Sequence, residues 1–260
     1  MKSKVKEILS LAGLPDTAVC EFEFVKNRLL PCRAAARLPK TPKSIIMVAF
    51  PYKVRESAPE NISRYAAVKD YHIVCKQLLD SAAEKLRAAY PSNTFEVFID
   101  NSPIPEVAAA VHAGLGVLGK NGLLIHKKHG SYVFLGEIVT DLELTPDKGG
   151  EKCPQCGRCA AVCPTGLCKD TCLSSVTQRK GELSDCEIAK IKMSGCVWGC
   201  DICQENCREN KNAQITYIDE FIESYRNAYV SGEDTKGRAY MWRTVKVIER
   251  NNDIIKNTER

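Results

Sequence analysis

The chain has 260 residues, enough for one large domain or two smaller ones with an apolar core. Its net charge of +5 is too small to indicate nucleic-acid binding by itself. Fourteen cysteines, in a chain whose start lacks the apolar stretch of a signal peptide, indicate metal binding in a reducing compartment rather than a disulfide framework. Because no apolar run approaches the length of a membrane span, we expect a soluble, cytoplasmic protein without membrane contact.

The first 60 residues predict one helix and two strands. Apolar side chains at helical spacing predict a helix over residues 1–12, and residues 18–25 read as a strand. Residues 44–50 form a continuous apolar run that ends at Pro51, which is typical of a strand buried on both faces. Helices or a second sheet must therefore cover this strand.

The next segment places an acidic residue at the end of a strand. Residues 62–90 carry apolar side chains mostly at intervals of three and four, which predicts a helix that ends before Pro91. Residues 94–99 alternate as a strand and deliver Asp100 at its C-terminal end. In α/β proteins this edge of a sheet commonly meets ligands, so Asp100 is a candidate site residue. A turn-capping role for its carboxylate is the alternative.

A predicted helix at 106–113 leads into a glycine-rich stretch, residues 114–122. Three of its glycines fit the spacing G-x-G-x-x-G, but a dinucleotide site needs a strand before this motif and a helix after it, and here the order is reversed. We therefore expect either tight turns or a loop at which the backbone approaches a bulky ligand. Residues 123–126 and 132–140 are the next predicted strands.

The second half of the chain holds cysteines at the spacing of iron–sulfur ligands. Intervals of three, three and four residues, ending in Cys163-Pro164, match the two-cluster ferredoxin pattern, in which three thiolates wrap one cluster and the fourth points to the other. The predicted ligands are Cys153, Cys156, Cys159 and Cys207 for the first cluster, and Cys163, Cys200, Cys203 and preferably Cys172 for the second. Cys168 and Cys196 are alternatives to Cys172. Zinc is less consistent, because its sites use two cysteine pairs a dozen or more residues apart.

Two further helices are predicted at 212–229 and 238–250. The elements together predict an α+β protein in three parts. These are a mixed α/β domain over residues 1–147, a ferredoxin-like domain with two [4Fe–4S] clusters over 148–210, and helices over 211–260 that pack on the core.

Taken in order, several short motifs resemble the epoxyqueuosine reductase family, whose members use cobalamin and iron–sulfur clusters in the last step of queuosine synthesis in tRNA. The motifs are residues 62–66, 69–72, Asp100, 113–116, 119–121, 130–137, 163–166, 172–178 and 199–204. Ferredoxin spacing alone is widely shared, but the whole ordered set is specific to this family.

The resemblance implies a first domain that binds cobalamin and receives electrons from the clusters, with ferredoxin or flavodoxin as a low-potential donor. It implies reduction of epoxyqueuosine in tRNA, with Asp100 giving a proton to the oxygen that leaves as water. Burial beside the corrin is expected to raise the pKa of Asp100. The residues that match family positions near the cobalamin are Arg33, Ser63, Asp100, Lys120 and Asn121. His72 is expected to be a core histidine rather than a cobalt ligand.

Several departures from the family pattern bear on the substrate. The family's full-length members carry a helical-repeat C-terminal extension that helps to hold tRNA, and we expect this chain to lack it because it ends soon after Cys207. Arg208 stands where the family usually has proline, and Asn101-Ser102 replaces Thr-Gly after the aspartate. A corrinoid reductase of a small molecule, or a two-cluster electron-transfer protein without cobalamin, therefore remains open.

Overall fold

The computed structural model describes residues 1–149 and 152–257. The chain divides into two compact units, the first made of Met1–Pro51 with Tyr71–Gln155, and the second of Tyr52–Asp70 with the chain from Cys156 onward. The predicted domains followed chain order, whereas residues 52–70 pack with the second unit. The predicted C-terminal helices also belong to that unit rather than to a separate part.

The first unit is built on a four-stranded antiparallel sheet with strand order β1-β2-β6-β3. Its strands are β1 (Thr17–Glu21), β2 (Ser44–Pro51), β3 (Phe95–Phe98) and β6 (Val133–Thr140). Every residue of β2 is buried, as its apolar run predicted. Two short strands, β4 (Gly116–Leu118) and β5 (Leu124–His126), pair in a separate antiparallel ribbon.

Helices cover both faces of the four-stranded sheet. The helices of this unit are α1 (Lys2–Leu11), α2 (Phe22–Val25), α3 (Tyr71–Ala89) and α4 (Glu106–His112). Leu79 of α3 contacts the face that carries Gly136, while Ala109 and Ala110 of α4 pack with Met47 and other side chains of the opposite face. The predicted mixed α/β architecture is therefore confirmed.

The second unit is mostly helical and has little regular secondary structure between its helices. They are α5 (Arg158–Val162), α6 (Leu173–Thr177), α7 (Asp185–Ser194), α8 (Ile202–Glu205), α9 (Asp219–Glu223) and α10 (Val245–Lys256). Trp198 is fully buried and meets the edge of Tyr240, with ring centroids 6.0 Å apart. Ser184 and Glu187 form a capping box that fixes the start of α7. In the part of the chain that the structure describes, no helix is long and apolar enough to cross a membrane.

The predicted helix over residues 62–90 was wrong in its first nine residues, because α3 begins at Tyr71. The preceding segment instead pairs with the chain around Trp198: the Ser63 N–H donates to the Trp198 carbonyl oxygen at 2.9 Å, and the Val197 N–H donates to Asn61 O at 2.7 Å. Its apolar residues Ile62, Ala66 and Ala67 are spaced as in a helix, but they pack into the core of the second unit from a segment that is not an α-helix.

Four other predicted elements need correction. The helix predicted over 238–250 is a 3₁₀ turn at Ala239–Arg243 followed by α10, which begins at Val245. The strand over 18–25 ends at Glu21, and Phe22–Val25 is a helical turn. The glycine-rich stretch contains β4 rather than loop alone, because it pairs with β5. The predicted helix over 212–229 is helical only at Asp219–Glu223.

A buried ion-pair network ties the start of β1 to the chain after β5. The Asp16 carboxylate lies 2.9 Å from Lys128 Nζ and 3.0 Å from His129 Nε2, and Asp16 and His129 are almost fully buried. Burial alone raises the pKa of the Asp16 carboxyl, but the hydrogen bonds from His129 and Lys128 outweigh it and hold the pKa well below its ordinary value. The charged carboxylate therefore stabilises this junction.

We expect Asp16→Asn to destabilise the first unit by about 2 kcal/mol, because it removes the buried carboxylate to which His129 and Lys128 are hydrogen-bonded. Since the folded-state pKa of Asp16 is lowered, its contribution is present above the ordinary carboxyl pKa and is lost as the pH falls below it. Amide hydrogen exchange in β1, measured between pH 6 and pH 2 and corrected for the intrinsic exchange rate at each pH, tests both points. Asp80→Asn, at a half-exposed ion pair on α3, is the control and should change stability by less than about 0.5 kcal/mol. Equal protection in the two variants would contradict this account.

Candidate active site and cluster-binding cysteines

The predicted cluster ligands are concentrated in the second unit. Seven of the eight lie in the chain from Cys156 onward, and Cys153 lies at the end of the first unit's chain. Cys159 is on α5 and Cys203 is on α8, and these two helices pack against each other. The two halves of the cysteine pattern, far apart in sequence, are therefore brought together.

Three of the ligands predicted for the second cluster lie close together. The pKa of the Cys200 thiol is raised to about 12, mainly by burial, and the nearby groups Asp201, Cys203 and Cys172 contribute in the same direction. Buried thiols that repel one another as thiolates need a compensating cation to ionise together. This donor chemistry fits an iron–sulfur cluster, in which iron binds cysteine thiolates.

Cys163, the fourth predicted ligand of that set, sits in a turn that stabilises a thiolate. Burial raises the pKa of its thiol, but hydrogen bonds from Thr165 and from the backbone of Leu167 and Gly166 outweigh burial and lower the pKa. The Leu167 N–H donates to Cys163 Sγ at 3.3 Å. Such N–H···S bonds are one of the ways in which proteins set cluster potentials.

The two alternatives to Cys172 occupy different surroundings. The Cys196 thiol donates to the Trp198 carbonyl oxygen at 3.2 Å, and burial raises its pKa to about 12. Cys168 is exposed, and hydrogen bonds from Thr171 and the adjacent backbone lower its pKa. Cys172 and Cys196 both lie near Cys200, but the Cys196 thiol is bound to the Trp198 carbonyl oxygen, so Cys172 stays the predicted ligand.

Asp201, between Cys200 and Cys203, holds the cysteine segment in place. Its carboxylate accepts the Arg64 backbone N–H at 2.6 Å and the Gln204 amide at 2.8 Å. Burial raises the pKa of this carboxyl to about 6, against the stabilising N–H of Arg64. The Arg64 guanidinium in turn binds Glu205 at 2.6 Å. The sequence placed Arg64 and Asp201 in two separate motifs and gave no sign of the contact between them.

Ser63, a predicted cobalamin contact, is buried within the second unit. Among the described residues its hydroxyl has no hydrogen-bond partner. The hydroxyl lies so close to Gly199 that a Cβ there would be 2.0 Å from Ser63 Oγ. A buried hydroxyl without a partner costs free energy, which a bound acceptor would recover. Its part in cofactor binding stays a prediction.

Asp100 lies just after β3, with its side chain 61% exposed. His72 Nε2 is 3.3 Å from its Oδ2, and this hydrogen bond is the main reason why the pKa of Asp100 is lowered. Burial opposes that effect, and a hydrogen bond from Tyr71 reinforces it. The pKa is thus lowered in this structure rather than raised. The expectation that His72 is a core histidine was wrong, because its side chain is 40% exposed and pairs with Asp100.

The other predicted cobalamin contacts lie on exposed parts of the first unit. Arg33 is exposed at the start of a 3₁₀ turn, Arg33–Arg37. The chain just before this turn contacts the chain just after Asp100, because the Leu30 N–H donates to Pro103 O at 2.8 Å. Lys120 is exposed and Asn121 half-buried in the turn between β4 and β5. Exposed polar side chains of this kind fit contacts to a large polar cofactor.

The glycine-rich stretch contacts its own chain. A Cβ on Gly114 would lie 2.7 Å from Lys148 O, one on Gly116 would lie 2.6 Å from Ile125 O, and one on Gly119 would lie 2.5 Å from Asn121 Oδ1. The left-handed backbone of Gly114, with φ of 76°, also favours glycine there. Of the two alternatives left open by the sequence, tight turns therefore explain these glycines without a ligand.

Two glutamates that the sequence reasoning missed lie beside the Asp100 turn. Glu137, in the middle of β6, is fully buried, and its Oε1 contacts the Ser102 hydroxyl. Glu106, in the first turn of α4, has a buried oxygen without a hydrogen-bond partner. An acidic residue inside the apolar run 132–140 was a signal that could have found Glu137.

Outside the cysteine pattern, Asp16, His126 and His129 have the chemistry and proximity of metal ligands. Lys128 Nζ already lies 2.9 Å from Asp16 Oδ1, so the carboxylate has a counter-charge. A cleft of about 380 Å³ next to this group is lined by lysines, Lys6, Lys127, Lys128 and Lys148, among other residues. None of the predicted site residues lines that cleft.

Comparison with known proteins gives a consistent result. The family described as "Epoxyqueuosine reductase QueG, DUF1730" matches residues 33–101. An epoxyqueuosine reductase of Lactococcus garvieae is 36% identical over 250 residues, which cover 81% of this chain and 71% of the relative. The solved epoxyqueuosine reductase of Streptococcus thermophilus superposes with a TM-score of 0.78 at 26% identity, covering 98% of this chain and 80% of that one.

An epoxyqueuosine reductase solved with an epoxyqueuosine-modified stem loop of tyrosine tRNA has the same fold, with a TM-score of 0.83, 24% identity, and coverage of 98% of this chain and 80% of that one. The fold and the cysteine-rich unit define an iron–sulfur oxidoreductase of mixed α/β architecture. The similarity to the L. garvieae relative is specific enough to go further. The chain belongs to the epoxyqueuosine reductase family.

If Cys172 completes the second cluster, Cys172→Ala should remove about four irons per chain, the content of one cubane cluster. Cys168→Ala should leave the iron content unchanged, and so should Cys196→Ala. Iron and sulfide are measured after anaerobic reconstitution of each variant, with circular dichroism to verify folding. Equal losses in the Cys172 and Cys168 variants would contradict the assignment.

Proposed function

We propose that this chain is a cobalamin- and iron–sulfur-dependent reductase that converts epoxyqueuosine to queuosine in tRNA. The observation that carries the proposal is the position of Asp100, which His72 and Tyr71 hold at the end of β3 in a chain of this family. The tRNA partner is supported by the relative solved with a modified tRNA stem loop. We further propose two [4Fe–4S] clusters on the eight predicted cysteines, and ferredoxin or flavodoxin as the electron donor.

Reduction of an epoxide to an alkene consumes two electrons and two protons and releases one water. Bound cobalamin supplies a low-valent cobalt centre that is a strong nucleophile, and low-potential clusters suit its reduction. The protein must then position the substrate, exclude water and deliver protons. Arg33, Ser63, Lys120 and Asn121 are the residues that we assign to cofactor binding, together with Asp100.

Asp100 is the proposed proton donor to the leaving oxygen. The lowered pKa of its carboxyl means that the uncovered side chain is an anion at neutral pH. Hydrogen bonds with His72 Nε2 and the Tyr71 side chain orient the carboxylate. Because the side chain is 61% exposed, a large ligand can cover it, and the loss of water would raise its pKa.

The first experiment is anaerobic reconstitution with iron, sulfide and cobalamin, followed by gel filtration and visible spectroscopy. About eight irons and one retained corrin per chain support the proposal. The same iron content without corrin would exclude cobalamin chemistry and leave a two-cluster electron-transfer protein. A chain that retains corrin is then assayed on an epoxyqueuosine-containing stem loop, and no turnover of that RNA would leave a corrinoid reductase of another substrate.

Asp100→Asn should lower turnover of the epoxyqueuosine stem loop by about 100-fold or more, the usual contribution of a general acid. Iron and corrin content should stay at the wild-type level, since the asparagine is nearly isosteric. Asp253→Asn, at an exposed position of α10, is the matched control and should be as active as the wild type. Wild-type turnover in Asp100→Asn would exclude Asp100 as the proton donor.

A further inference from the structure

Two buried carboxyl groups lie behind the Asp100 turn, and the proposed function does not use them. Glu137 is fully buried on β6, opposite Met47 of β2 and Phe98 of β3. Its side chain lies on the sheet face that α4 covers, the same face as Val139 two residues on. Glu106 reaches this region from the first turn of α4.

Each of the two side chains has one buried oxygen without a hydrogen-bond partner among the described residues, Glu106 Oε1 and Glu137 Oε2. A buried carboxylate without a partner is costly, and two of them side by side repel each other. A single proton placed between the two oxygens satisfies both, because one carboxyl then donates and the other accepts. The two side chains are close enough to form a hydrogen bond with each other.

The pair also contacts both ends of the Asp100 turn. Glu137 Oε1 accepts a hydrogen bond from the Ser102 hydroxyl, which itself accepts the Ile104 N–H at 3.0 Å. The backbone N–H of Asp100 faces the Glu106 carboxyl and stabilises its charged form. Asp100 has a left-handed backbone, with φ of 56°, a conformation that persists in a non-glycine residue when neighbouring contacts enforce it.

We propose that Glu106 and Glu137 share one proton and together act as positioning residues that hold the Asp100 turn in its working conformation. The part of this proposal that concerns catalysis rests on the proposed function, while proton sharing does not. The pair carries a single negative charge, and Ser102 and the Asp100 N–H bind it from the two sides.

The electrostatic surroundings keep the shared proton in place. Burial is the main cause that raises the pKa of both carboxyls, and each is raised further by a nearby negative charge, Glu106 by Asp100 and Glu137 by Glu106. Beyond Asp100 lies His72. Among the described residues, neither glutamate has a salt-bridge partner, and the cross-strand neighbours Met47 and Phe98 are apolar.

Infrared spectroscopy tests proton sharing without any assay of turnover. With ¹³C-labelled glutamate, the wild type should show the carbonyl stretch of a protonated, buried carboxylic acid at pH 7. Glu106→Gln and Glu137→Gln should each abolish it, because an amide can donate to the remaining carboxylate. Glu84→Gln, on the exposed face of α3, is the control and should retain the band. A wild type without the band, or a band that survives both substitutions, would overturn the proposal.

The pH dependence of stability gives a second measurement, which applies even if a glutamine variant fails to fold. Because the folded-state pKa values are raised, the stabilisation is fully present below the ordinary carboxyl pKa and is lost as the pH rises through the raised values. The melting temperature of the wild type should therefore fall between pH 5 and pH 9. A soluble glutamine variant should show a smaller fall, and equal falls would count against the shared proton.

The positioning role is tested on the reconstituted enzyme. Glu137→Gln should lower kcat for the epoxyqueuosine stem loop by about tenfold with little change in KM, iron or corrin content, as expected for a displaced catalytic group. Amide exchange at residues 100–104 should rise in the same variant. Wild-type kcat and exchange in this variant would overturn the positioning role. An inactive wild type that keeps the infrared band would instead exclude the proposed function and leave the proton-sharing pair intact.

Discussion

The second unit depends on one buried contact, the 2.6 Å hydrogen bond from the Arg64 backbone N–H to the Asp201 carboxylate. Asp201 stands between two predicted cluster ligands, and Arg64 belongs to a segment more than a hundred residues earlier in the chain. The Arg64 guanidinium also binds Glu205 and the carbonyl oxygens of residues 55–57, so the whole early segment is held on the cysteine-bearing chain. Thiolates that share a cluster need fixed positions, and groups around the ligands supply them.

Both units use the same physical device at their sites, an acidic side chain buried where it can bind the backbone of a turn. In the second unit Asp201 accepts the Arg64 N–H, and in the first unit the carboxyl of Glu106 faces the Asp100 N–H. Burial raises the pKa of both carboxyls, because keeping a charged group out of water costs free energy. Asp201 and Glu106 each fix the backbone of a turn next to predicted site residues, and this role accounts for their burial.

The sequence predicted best where one local pattern decides the structure. The apolar run 44–50 predicted a buried strand, and every residue of β2 is buried. Predictions from the sequence were wrong where contacts between distant parts of the chain determine the structure. Residues 62–70 have the spacing of a helix but pair with the chain at Trp198, and His72 looked like a core residue because nothing local links it to Asp100. The family resemblance included these residues among its motifs, but it did not show which of them are in contact.

The protonation state of the Asp100 carboxyl determines whether this residue can act as the proposed proton donor. An acid whose pKa is lowered by His72 is a poor proton donor at neutral pH, yet the role that we propose for Asp100 is that of a donor. The hydrogen bond to His72 is the largest influence on this pKa, in a side chain that is 61% exposed to water. When a large apolar group replaces that water, desolvation opposes the charge and the pKa rises. In the function that we propose, binding and proton supply are then coupled, since Asp100 becomes an acid in the complex that needs its proton.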